Sequence, residues 1–214
     1  MTTFTQPALA SLIDRLFAEA DAAENERWPA TRGSDRDYRK YYGQLKDQPL
    51  AVSRDTGKLL YMLARSIRAR SIVEFGTSFG ISTLHLAAAL RDNGGGRLIG
   101  SEFEPSKIKR ARANLAAGGL SDLVEIREGD ALQTLNRDLP DTIDLVLLDG
   151  AKSLYPSILA LLEGRLRSGA LIVADNADHS PEYLARVRSA ANGYLSVPFA
   201  DDVELTMRLG SAST

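Results

Sequence analysis

Apolar positions follow two different rhythms along this chain. Before residue 70 they recur at helical spacing. Leu9, Leu12, Ile13, Leu16 and Phe17 share one face and predict a helix from roughly Pro7 to Glu26. Leu59, Leu60, Leu63 and Ile67 predict a second from about Asp55 to Arg68. The stretch between, "RWPATRGSDRDYRKYYGQLKDQP", is polar and aromatic without a period and is expected to be irregular. From Ser71 the rhythm changes to short apolar runs separated by helical segments. "SIVEFG", "RLIGSEF", "VEIREGD", "IDLVLLDG" and "GALIVAD" read as five strands. Helices are predicted over Ile81 to Leu90, from Pro105 to about Ala117, and from about Tyr155 to Arg167. Another starts at Ser180-Pro181-Glu182, where serine suits the cap and proline the first turn. "YLSVPFADDVELTMRL" reads as two strands in an antiparallel hairpin joined at Ala200-Asp201-Asp202.

Strands alternating with helices predict an α/β protein: a doubly wound, mostly parallel sheet covered on both faces, with a C-terminal antiparallel hairpin and added N-terminal helices. Ligands of such sheets gather beyond the carboxyl ends of the strands, where strand order reverses. Gly76, Glu102, Asp130, Asp149 and Asp175 all fall at those ends. Two strands end alike: "LVLLDGAK" stops at Asp149 with Lys152 behind it, and "LIVADN" stops at Asp175 and Asn176.

Composition narrows the function. The 214 residues suit one domain, or one domain with an N-terminal addition, and 44% hydrophobic with 25% charged residues is an ordinary globular balance. A net charge of -2, from 26 basic and 28 acidic residues, lacks the basic excess of a nucleic-acid binder. The chain has no cysteine, which removes disulfides, thiolate metal sites and cysteine nucleophiles and fits a cytoplasmic protein. "MTTFTQPALA" lacks the basic and apolar segments of a signal peptide, and no apolar run is long enough to span a membrane.

"VEFGTSFGIST" occupies the place of a nucleotide-binding loop after the first strand. A dinucleotide fingerprint needs a middle glycine where the backbone meets a pyrophosphate, and here Ser78 stands between Gly76 and Gly80. A nucleoside ligand without a pyrophosphate fits the loop better, although the glycines equally suit a plain strand-to-helix turn. Glu102, a little over twenty residues after Gly80, stands where an acid binds ribose hydroxyls. Asp130 fits either an adenine amine or a helix cap.

The motifs "VEFGTSFGIST", "SEFEP", "EGDA", "LLDGAK" and "VADN" together resemble the cation-dependent O-methyltransferases of the catechol and caffeoyl-CoA type. The resemblance runs from roughly Ala51 to the C-terminus. It implies a Rossmann-like fold with residues 1–50 as an N-terminal helical or lid segment and 51–214 as an S-adenosylmethionine-binding methyltransferase domain. By that resemblance Glu74, Gly76, Thr77 and Ser82 hold the methionine end of the cofactor. Glu102 binds ribose, Asp130 and Ala131 flank adenine, and Val52 lies in a segment that closes over the cofactor.

Hard oxygen ligands from Asp149, Asp175 and Asn176 suit Mg2+, or Mn2+ or Ca2+, rather than zinc. The family places its cation there, with Asp149 also near the cofactor. Lys152 matches the family lysine that takes the acceptor's proton. Its free pKa of about 10.4 is too high for a base at neutral pH. A nearby cation and partial burial are expected to lower it. One departure stands out: catechol enzymes carry tryptophan just before this lysine, and this chain has Ala151. The expected acceptor is a small aromatic diol or phenol, with no membrane partner, and the charge balance disfavours a nucleic-acid partner without ruling out a local RNA-binding patch. The apolar N-terminal helix suggests a homodimer. A methyltransferase-like interaction subunit and a nucleotide-dependent oxidoreductase are the alternatives. Trp28, Tyr38, Tyr41 and Tyr42 are candidates for an acceptor lid or for plain packing. Arg36, Arg39 and Lys40 suit an anionic acceptor or a solvated face, His179 stands near the fifth strand, and His85 reads as structural.

Overall fold

The computed structural model describes residues 1–24, 38–200 and 202–210. Helix α1 spans Pro7–Glu24, α2 Tyr38–Gln44 and α3 Arg54–Ser66. Strand β1 (Ser71–Phe75) then alternates with α4 (Ile81–Asp92), β2 (Arg97–Glu102), α5 (Pro105–Ala117), β3 (Val124–Glu128), α6 (Ala131–Thr134) and β4 (Ile143–Leu148). Helix α7 (Tyr155–Leu162), β5 (Leu166–Ala174), α8 (Pro181–Val187), β6 (Tyr194–Phe199) and β7 (Val203–Arg208) complete the described chain.

One seven-stranded sheet runs in the order β3-β2-β1-β4-β5-β7-β6. The first five strands are parallel, while β7 pairs antiparallel with both β5 and β6. Strand order reverses between β1 and β4, so the sheet has its switch point where the glycine loop meets Asp149. The central strands are mostly apolar because helices cover both faces: Ile72, Val73, Leu145, Val146 and Leu147 are all buried.

Two features differ from the expectation. Part of the segment expected to be irregular forms α2. Its "YRKYYGQ" has no apolar period, and Tyr38 and Tyr42 pack on the core around Phe75 and Tyr155 instead. Trp28 and Arg36 lie outside the described residues. The apolar face of α1 packs against this chain's own sheet and helices, with Leu9, Leu16 and Phe17 in one core with Ile72 and Leu84. The face offered for a homodimer is therefore already covered. Among the described residues no helix is long and apolar enough to cross a membrane.

Gly76 shows how tightly the switch point is built. Its φ is +98°, and a Cβ there would lie 2.6 Å from the carbonyl of Asp149. Only glycine lets the β1 and β4 ends approach so closely.

Candidate active site

Beyond the ends of β3, β2, β1 and β4 lies a cleft of about 660 Å³, counting its open mouth. Gly76, Glu102, Asp130, Ala131 and Asp149 all line it. Val52, Glu74, Thr77 and Ser82 do not reach its wall. The cause at Glu74 is local. Its carboxylate is fully buried and accepts hydrogen bonds from Thr77 Oγ1 (3.0 Å), Ser82 Oγ (2.7 Å) and Thr83 Oγ1 (2.6 Å). These four side chains satisfy one another beneath the loop. Burial pushes Glu74 up to about 7, against the three hydroxyls, with the Asp149 charge adding to the rise.

The acids of this half of the rim are committed to the backbone. Glu102 Oε1 accepts from the amides of Phe103 (2.9 Å) and Glu104 (3.0 Å), and Oε2 from the amide of Ser78 (2.9 Å). Two carboxylate oxygens offer about four acceptor sites, so Glu102 keeps one for a ligand hydroxyl. The bond from Ser78 helps hold that residue in a left-handed conformation, φ +47°. Asp130 caps α6 through the amide of Leu132 (3.0 Å) and pairs with Arg39 of α2. Tyr38, Arg39 and Tyr42 thereby form part of the cleft wall.

The other half of the rim is arranged differently. Leu148 lies opposite Ala174 in the β4–β5 pair. The Asp149 amide donates to Phe75 O (2.8 Å) and the Asp175 amide to Leu148 O (2.9 Å). Two acidic residues therefore leave neighbouring strands side by side, about 4.8 Å being the usual strand spacing. Tyr155 binds both strand ends, its hydroxyl lying 2.8 Å from Leu148 O and 2.7 Å from Asp175 O. Asp175 is 7% exposed. Burial and then the Asp149 charge raise its pKa well above the carboxylate range, with Lys152 opposing and Asp202 adding. Lys152 Nζ donates to Asp149 Oδ1 at 3.0 Å. Burial lowers the Lys152 pKa as expected, but Tyr155, Asp149 and Asp175 outweigh it and the result lies above the ordinary value. Burial also keeps the Tyr155 hydroxyl protonated, so the two carboxylates carry that effect.

This donor set suits a hard cation. Two carboxylates repel each other in a partly buried rim, and Asn176, at φ +48°, donates its amide nitrogen to Asp202 (3.0 Å) while its side-chain oxygen is a hard acceptor. Among the described residues no cluster of three or more His, Cys, Asp or Glu side chains is placed to hold a metal, so the candidate set is these two acids and one amide. His179 lies beside Asp178 on the surface. His85 is buried among Phe4 and Phe17 with Nδ1 2.8 Å from Ile81 O.

Sequence reasoning missed two residues. Tyr155 was read only as a helix start. Lys107, on α5, is 3% exposed and lines the cleft. Its signal in the sequence was slight: it precedes Ile108 on the inward face of an otherwise polar helix.

Residues 73–177 match a family described as a methyltransferase domain. The chain is 38% identical over 127 residues to a catechol O-methyltransferase of Mycobacterium tuberculosis, covering 59% of this chain and 57% of that relative. The chain thus spans under three fifths of that relative's length. A crystal structure of cofactor-bound Rv0187 from MTB superposes with a TM-score of 0.70 at 28% identity, over 95% of this chain and 90% of that one. The O-methyltransferase TomG from Streptomyces achromogenes, in complex with SAM, gives 0.67 at 26% identity, over 92% and 98%. None of these supports a nucleotide-dependent oxidoreductase.

Proposed function

We propose that this chain is an S-adenosylmethionine-dependent O-methyltransferase that acts on a small aromatic diol with the help of a divalent cation. The observation that carries the reading is the pair of mutually repelling acids at the ends of β4 and β5, Asp175 buried and Asp149 partly buried, with Lys152 bonded to Asp149. The likeness to catechol O-methyltransferases supports the acceptor class, and the likeness to the SAM-bound TomG supports the cofactor.

Asp149, Asp175 and the Asn176 oxygen would hold the cation. When bound, the cofactor supplies an electrophilic methyl group on a sulfonium, and the cation supplies charge that acidifies a hydroxyl and offsets the two carboxylates. With the cation offsetting Asp149 and Asp175, the carboxylates that hold its pKa up, Lys152 Nζ would lose its proton and serve as the base for the acceptor hydroxyl, oriented by its 3.0 Å bond to Asp149. Tyr155 keeps the two strand ends in register, so the acids and the lysine stay aligned. Glu102 accepts from ribose hydroxyls with its remaining acceptor site. Ala131 and Asp130 border the adenine, and Asp130 stays tied to Arg39. The Glu74 cage acts indirectly, by setting the Gly76–Ser78 backbone that faces the amino-acid end. Ala151 lines the cleft beside these groups and leaves room for an acceptor broader than one ring.

The test is methyl transfer from S-adenosylmethionine to a panel of diols, read by mass spectrometry with Mg2+ and with excess chelator. Transfer to a vicinal diol that stops with chelator supports the reading. Cofactor binding without transfer to any diol would support an interaction subunit instead.

A further inference from the structure

Lys107 is a buried cation with no counter-ion in contact. Lysine is almost never fully buried unless paired. Here it is 3% exposed, yet among the described residues it forms no ion pair and its hydrogen bond, to Ser78 Oγ, is long at 3.5 Å. Its Nζ also lies 5.9 Å from the centre of the Phe79 ring. Burial lowers its pKa, while Glu102, Asp149, Glu104 and Asp47 favour its charge from further away. The side chain belongs to the cleft wall. A charge in this position is desolvated and left short of an anion, and a ligand entering the cleft can provide one.

We propose that Lys107 and Ser78 form an anion subsite that binds the α-carboxylate of the cofactor's amino-acid portion. The inference rests on the S-adenosylmethionine reading above. Sheet order supports the assignment. Asp130 and Ala131 follow β3, Glu102 ends β2, and Ser78 follows β1. With the base beside Ala131 and the ribose at Glu102, the amino-acid portion falls at the β1 rim, where the lysine tip lies. That portion carries the ligand's single anionic group. Its ammonium and sulfonium are cations and belong on the Asp149 side. The hydroxyls of Thr77 and Ser82 are not free to donate to it, because both donate to Glu74.

The test uses calorimetry on the full chain with two probes: S-adenosylhomocysteine and its decarboxylated form, 5′-(3-aminopropyl)thioadenosine. Lys107→Met is expected to weaken the first by about ten-fold or more and to change the second by under about two-fold. Lys107→Gln, which keeps a polar end, provides the same comparison should the methionine variant fold poorly. Equal loss for both probes would make Lys107 a wall residue and overturn the proposal, as would no loss for either. An unchanged S-adenosylhomocysteine affinity with a raised acceptor KM would also overturn it, assigning the lysine to the acceptor. Failure of the wild-type chain to bind either probe would instead overturn the cofactor reading on which the proposal rests.

Discussion

The two halves of the strand rim handle their acids in opposite ways. Along β3, β2 and β1, three rim acids are already answered: Glu102 by three amides, Asp130 by an amide and Arg39, Glu74 by three hydroxyls. Along β4 and β5, Asp149 and Asp175 repel each other, with Lys152 bonded to Asp149 and protonation of Asp175 favoured. The first half is a scaffold whose acids are satisfied without a ligand. The second half holds a charge conflict that an added cation would relieve. Stability and function therefore separate: removing Glu102 should harm the fold, whereas neutralising Asp175 should help it.

The largest expected effect tests the second half. Lys152→Ala should lower methyl transfer by about 10²–10⁴-fold, the usual range for a lost general base. Raising the pH should recover part of the loss, since more acceptor ionises unaided. Wild-type turnover across neutral pH would remove Lys152 from the chemistry.

Next comes the scaffold. Glu102→Ala orphans three backbone amides and should cost roughly 3–5 kcal/mol of stability, beyond any loss of cofactor affinity. Chemical denaturation of the ligand-free protein measures this. A change within about 0.5 kcal/mol would mean that water replaces those bonds and the scaffold view is wrong.

Glu74 sharpens the contrast through pH. Its folded pKa is raised from 4.5 to about 7, so the folded state keeps a proton that the unfolded chain has lost. Stability from this group is complete below about 4.5 and falls as pH rises to about 7, by about 3 kcal/mol. The difference in unfolding free energy between wild type and Glu74→Gln should follow that curve. A difference that stays constant over that window would show that the buried carboxyl is already ionised.

The smallest effect has the opposite sign. With its pKa raised by burial and by Asp149, Asp175 opposes folding above its unfolded pKa of about 3.9, where the unfolded chain ionises freely. Asp175→Asn should raise the thermal stability of the metal-free protein by about 1 kcal/mol at neutral pH. A loss of stability would mean that the two acids are not in conflict.

Much of this contrast was legible in the sequence, and the reasons differ by element. The central strands announced themselves because both faces are buried, which makes "SIVEF" and "IDLVLL" nearly continuous apolar runs. The rim acids followed because each run ends at one. What each acid binds did not follow. Ser82 and Thr83 sit eight and nine residues from Glu74, and only the fold turns them into its donors. Helix α2 was hidden because seven residues with three tyrosines carry no helical period. Lys107 was hidden because α5 is mostly polar, and nothing in "KIKRARAN" marks which cation points inward.

The most direct test of the central claim is a calorimetric titration of Mg2+ into the metal-free wild-type protein and into Asp175→Asn. The account predicts one site in the wild type and an affinity lower by about ten-fold or more in the variant. Equal affinity for both proteins, or no binding to the wild type, would contradict it.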